Sequence, residues 1–179
     1  MAKKNLIVGQ SGGPTAVINS SLYGVVSEGL THPDTIEHVY GMVNGIEGFL
    51  NDRILDFEEA LPGDKLNGLT HTPGAYLGSC RYKLPESLED PVYPALFKKF
   101  EELNIGWFFY IGGNDSMDTV SKLSRYAASI GSPIRVIGEP KTIDNDLVHT
   151  DHTPGFGSAA KYVASTVREI TTDANVYEK

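Results

Sequence analysis

The 179-residue chain is 40% hydrophobic and 21% charged, a balance that fits one globular domain and excludes a disordered or membrane-spanning polypeptide. Fifteen Lys plus Arg against 23 Asp plus Glu give a formal net charge of −8, which argues against a nucleic-acid backbone as partner but leaves a small phosphorylated ligand open. A single cysteine, Cys80, excludes an internal disulfide framework or a cysteine-rich metal site, and a short N-terminal apolar run is no signal-peptide core, so a cytoplasmic protein is expected.

In chain order, apolar Leu6 to Val8 reads as a buried strand, followed by a turn over 9–14 and an amphipathic helix from about Thr15 to Gly29. A β-rich patch at Ile36 to Tyr40 leads into a glycine-broken, turn-rich region reaching Gly78. Leu96 to Leu103 has the spacing of a surface helix, and Trp107 to Ile111 that of a buried strand. A helix is expected over Met117 to Ile130 with Ser116 or Asp115 as its cap, then a strand at Ile134 to Ile137 and a last helix over about Gly157 to Ile170. Repeated strand–loop–helix order points to an α/β fold, a doubly wound and mostly parallel sheet with helices on both faces. Ligands bind such sheets beyond the carboxyl ends of the strands, where three polar loops fall: GQSGGPT, GGNDS and EPKTIDND.

Each loop has chemistry of its own. In the first, Gly12 and Gly13 let backbone amides and a helix N-terminus approach a phosphate, although an ordinary strand-to-helix turn fits the residues equally. In the second, Gly113 precedes Asn114, Asp115 and Ser116; taken alone, Asp115 reads as a helix cap. In the third, an extended backbone places Thr142, Asp144 and Asp146 on one face and turns Lys141 and Asn145 away. Two acids beside a hydroxyl suit phosphoryl transfer, in which a carboxylate takes a proton and cations or amides stabilise phosphate charge. A turn whose Asp and Asn bond their own backbone is the equal alternative. Arg81 offers a planar guanidinium suited to phosphate, or a solvated surface charge. His149, Asp151 and His152 lack a third strong ligand for zinc and are assigned structural roles.

SGGPTAVIN, YLGSCRY, IGGNDS, PKTIDND and TDHTPGFGSA together resemble the phosphofructokinase family over essentially the whole chain, and PKTIDND is its most specific motif. The resemblance implies a glycolytic phosphotransferase in which Asp144 is the general base toward the sugar 1-hydroxyl. Thr142 would contact the transferring group, and Asp146 would support the site's charge. Gly12, Gly13, Arg81, Gly113 and Ser116 would line the donor phosphate. Relatives that use ATP carry glycine at the positions of Asp115 and Lys141; the aspartate and lysine found here mark pyrophosphate users. Mg2+ is the implied cofactor, with Asn114 standing where many relatives have a magnesium-associated aspartate. The implied partners are pyrophosphate and fructose 6-phosphate, with no nucleic acid and no membrane, in an enzyme that is a homo-oligomer when full length. Residues 1–179 would supply the donor-phosphate portion, and the acceptor portion, with its Met-Gly-Arg segment, would lie beyond residue 179. An ATP-dependent 6-phosphofructokinase and a non-catalytic phosphate-binding module are the alternatives.

Overall fold

The structure is a computed structural model, and it describes residues 2–176. Its centre is a five-stranded sheet in the order β3-β2-β1-β4-β5. The strands are β1 (Lys4–Gln10), β2 (Ile36–Met42), β3 (Ile54–Asp56), β4 (Ile105–Gly112) and β5 (Arg135–Pro140). Neighbouring pairs β1–β2, β1–β4 and β4–β5 are parallel, and only the short edge strand β3 runs antiparallel. β1 is buried along almost its whole length, as its unbroken apolar run requires of a central parallel strand.

Two hydrophobic clusters cover the two faces. Helix α1 (Ile18–Leu30) lays Ile18, Leu22 and Val26 on Leu6, Val8, Val39 and Ile111. On the opposite face, Ile7, Phe108 and Tyr110 meet α4 (Val92–Glu102) and α5 (Asn114–Ser129) through Leu96, Phe97, Phe100 and Leu123. The chain thus winds from β1 through α1 to β2 in one direction, and from β4 through α5 to β5 in the other. Because right-handed crossovers in opposite directions fall on opposite faces, the order reverses between β1 and β4, and a crevice opens at their carboxyl ends. α6 (Phe156–Ala174) ends the described chain with no buried residue.

The structure departs from the sequence reading in three places. The region to Gly78 is not only turns: it contains α2 (Gly45–Leu50), β3, α3 (Phe57–Ala60) and a 3-10 helix over Gly63–His71. These elements are too short to show a period, and pairing with β2 and the core fixes them. Neither Asp115 nor Ser116 caps α5; the helix starts at Asn114 with Gly113 as a cap without a side chain, and both residues lie in its first turn. Nor is 141–146 extended: Asn145 adopts a left-handed φ of 53°, and Thr142 pairs with Gly155 in an isolated bridge.

Candidate functional site

The loops after β1, β4 and β5, joined by the segment around Arg81, enclose a cavity of about 430 Å³. Gly12, Gly13, Arg81, Gly113, Asn114, Asp115, Ser116, Lys141, Thr142 and Asp144 all line it. Asp146 does not, but its Oδ2 accepts a hydrogen bond from Asn114 Nδ2 at 2.9 Å, so it stands behind that residue. A cavity of about 570 Å³ beside α1 is larger, but Leu6, Val25, Trp107 and Phe109 with Glu28 and Glu139 give it apolar walls and carboxylates, which suit no phosphate.

Glycine is required where the backbone closes in. A Cβ on Gly112 would fall 2.0 Å from Ser116 Oγ, so only glycine lets α5 begin directly against the end of β4. Gly12 has φ +77°, and a Cβ there would lie 3.7 Å from Lys141 Nζ, with a Cβ on Gly113 at 3.9 Å from the same atom. The two glycines therefore flank the Lys141 ammonium with bare backbone.

Lys141 is the unusual group. It is 4% exposed, its backbone N–H donates to Gly112 O at 3.0 Å, and burial lowers its pKa. Among the described residues no carboxylate comes within ion-pair distance of it; the nearby acid Asp115 instead meets Lys83, with Nζ and Oδ1 3.2 Å apart and both side chains about three-quarters exposed. A desolvated cation without a partner is costly unless an anion joins it. Lys141 thus points into the cavity rather than away from it, the reverse of what strand alternation suggested.

The third loop is held by its own polar groups. Asn145 Oδ1 accepts the Thr153 N–H at 2.9 Å and its Nδ2 donates to Asp151 O at 3.1 Å. Thr142 N–H donates to Pro154 O at 2.9 Å, and Thr142 Oγ1 accepts the Asp144 N–H at 3.0 Å. The Thr142 hydroxyl keeps its proton for another acceptor. Asp144 is exposed at the mouth of the cavity and forms no ion pair among the described residues.

Several positioning residues were not singled out from the sequence. Gln10, fully buried at the end of β1, donates through Nε2 to Ile18 O (3.1 Å) and Asn19 Oδ1 (2.9 Å), and accepts the Leu77 N–H (2.9 Å). Asn19 in turn donates to Thr72 O and Gly74 O and accepts from Tyr76 N–H. This network fixes the chain leading to Arg81, and Ser79 Oγ, donating to Gly12 O at 2.6 Å, locks it to the first glycine loop. Lys122, 2% exposed on α5, donates to Leu84 O at 3.1 Å and pairs with Glu86 and Asp118 at 2.6 and 2.7 Å, which anchors the far side of the same segment. Those bonds to Asp118 and Glu86 raise its pKa. A glutamine closing an apolar strand was the one available signal; Lys83 and Lys122 reveal their partners only in three dimensions.

The family model described as "Phosphofructokinase" matches residues 5–179. The chain belongs to the phosphofructokinase family. It is 45% identical over 174 residues to a pyrophosphate--fructose 6-phosphate 1-phosphotransferase of Methylococcus capsulatus, covering 97% of this chain and 41% of that protein. A solved structure of the pyrophosphate-dependent phosphofructokinase from Marinobacter aquaeolei superimposes with a TM-score of 0.84 at 47% identity, covering 95% of this chain and 41% of the other. An ATP-dependent 6-phosphofructokinase of Macrococcus caseolyticus is more distant, at 30% identity over 176 residues, 98% of this chain and 50% of that protein. Phosphofructokinase is therefore the family, its pyrophosphate-dependent members are the nearer relatives, and this chain spans about 41% of their length. Among the described residues no helix is long and apolar enough to cross a membrane.

Proposed function

We propose that the cavity is the donor site of a cytoplasmic, homo-oligomeric pyrophosphate-dependent 6-phosphofructokinase, which transfers a phosphoryl group to the 1-hydroxyl of fructose 6-phosphate. The observation that carries the reading is the buried Lys141, unpaired among the described residues and lying between the bare backbones of Gly12 and Gly113. That arrangement wants a compact polyanion. Diphosphate brings its charge without a nucleoside, and Asp115 with Lys83 at the rim crowds the space a longer donor would thread.

In this reading Arg81, exposed at the cavity wall, takes the outer phosphate, and the amides of Gly12, Gly13 and Gly113 with Ser116 take the remaining oxygens. Lys141 stabilises charge that accumulates on the leaving phosphate. The Thr142 hydroxyl, its oxygen already bonded by Asp144 N–H, donates to the group in transfer. Asp144, exposed at the mouth, accepts the proton as the sugar oxygen attacks.

The donor set also fits Mg2+. That ion takes oxygen ligands and keeps water and substrate phosphates. Asn114, whose amide nitrogen is engaged by Asp146, presents its carbonyl oxygen, and Asp144 lies on the same cavity wall. Asn114 and the donor's own oxygens would hold the ion, which would supply charge neutralisation, and Asp144 is left free to act as the base. The acceptor-binding portion is assigned to sequence beyond residue 179. Isothermal titration with magnesium diphosphate and magnesium ATP tests the reading: tight diphosphate binding that ATP displaces poorly is expected, and ATP binding more tightly would refute it.

A further inference from the structure

The antiparallel edge of the sheet gathers three side chains that the donor cavity does not use. His38 and Tyr40, two residues apart on β2, project from one face. Asp56 stands opposite Tyr40 in the β2–β3 register and shares that face, and Glu58 follows in the first turn of α3. One imidazole nitrogen and two carboxylate oxygens thereby lie within 4.8 Å of one another.

We infer that His38, Asp56 and Glu58 form a binding site for a divalent transition-metal ion of the Zn2+ class, with water completing the coordination. His38 Nδ1 is 3.2 Å from Asp56 Oδ2 and 3.4 Å from Glu58 Oε2. Ligand atoms at about 2.0–2.2 Å from zinc, at tetrahedral or octahedral angles, stand roughly 3.0–3.5 Å apart. Both separations are edges of such a polyhedron. A direct ion pair accounts for the geometry less well, because Nδ1 is shielded from solvent yet forms no hydrogen bond with either carboxylate.

The surroundings orient the three ligands. Asp56 Oδ1 accepts the Glu58 N–H at 2.9 Å, which leaves Oδ2 turned to the imidazole. The His38 ring stacks on Tyr40 with centroids 5.5 Å apart and planes at 13°, and the backbone N–H of His38 donates to Asn5 Oδ1 at 3.0 Å, which fixes the strand that carries the ring. Such outer contacts are what hold metal ligands in place. Glu37 on β2 and Glu59 in α3 add further carboxylates to the same stretch of chain. Among the described residues neither Asp56 nor Glu58 meets a lysine or arginine, so a dication would offset their charge. One imidazole with two carboxylates suits Zn2+, Co2+ or Ni2+ better than Mg2+ or Ca2+, which favour all-oxygen sets.

Titration of the intact protein with ZnCl2 in excess Mg2+ should reveal one saturable site, and Co2+ should shift the His38 and Tyr40 resonances paramagnetically. His38→Ala and the shape-preserving Glu58→Gln should each weaken Zn2+ by more than the roughly 10–100-fold that loss of an outer-shell contact costs, with diphosphate affinity unchanged. No saturable Zn2+ site, equal Zn2+ affinity in wild type and Glu58→Gln, or Co2+ shifts centred on His71, His149 or His152 would each overturn the assignment.

Discussion

Lys141→Met separates binding from folding at one atom. Methionine keeps the length and apolar stem of the side chain and removes its charge. In the free protein Lys141 is 4% exposed and, among the described residues, has no carboxylate partner, so the substitution relieves a desolvation cost and should raise the urea midpoint without altering the slope. With donor bound the balance reverses. Two unit charges about 4 Å apart at an effective dielectric near 20 attract by about 4 kcal/mol. Because the cavity is partly open, about 2–4 kcal/mol is the expected loss, or on the order of 30- to 10³-fold in diphosphate affinity. Calorimetric titration with diphosphate and urea unfolding of the same two proteins read both quantities. Unchanged diphosphate affinity together with a lower urea midpoint would show the lysine to be structural, and the reasoning would fail.

Other outcomes follow from the same geometry. Asp144→Asn should lower turnover by about 10²–10⁴-fold with little change in diphosphate affinity, because the amide keeps the shape but takes no proton; steady-state rates of fructose 1,6-bisphosphate formation by the full-length enzyme check it. The Lys141 pKa is lowered from its ordinary 10.5, so diphosphate binding should weaken as pH rises through that lowered value. The folding penalty of the buried charge is full below the lowered pKa and fades as pH climbs toward 10.5; calorimetry and urea unfolding across pH 7–11 measure the two trends. A double-mutant cycle of Asp115→Gly with Lys83→Ala should give a larger coupling in donor affinity than Asp115→Gly with Lys141→Met, while the exposed pair itself contributes no more than about 1 kcal/mol to stability. Residues 1–179 expressed alone should bind diphosphate yet form no fructose 1,6-bisphosphate, as the sugar is not positioned beside Asp144; product formation by that polypeptide would contradict the division of labour.

The strands that carry the site were legible because each is a continuous apolar run ending in glycine: Leu6 to Val8 fell within β1 and Trp107 to Ile111 within β4. Their adjacency in the sheet, which brings the polar loops together, follows from the winding rule. What the sequence hid is tertiary. β3 has three residues and exists by pairing with β2. Around Lys141 the loop turns at Asn145, at positive φ, and is held by the Asn145 amide, which donates to Asp151 O and accepts the Thr153 N–H, none of which strand alternation contains. Asp115 finds Lys83 across the cavity, and Lys122, on an otherwise amphipathic helix, is buried because Leu84 O and Glu86 fold over it. His149, Asp151 and His152, close in sequence, read as structural rather than as a metal site, and nothing in the sequence points to His38, Asp56 and Glu58, which the fold assembles from two strands and a helix.

The donor itself is the claim on which most depends. Initial rates of fructose 1,6-bisphosphate formation by the full-length protein, measured with magnesium diphosphate and with magnesium ATP at matched fructose 6-phosphate, give the ratio of kcat/KM for the two donors. The account predicts a ratio well in favour of diphosphate, and a ratio favouring ATP would contradict it.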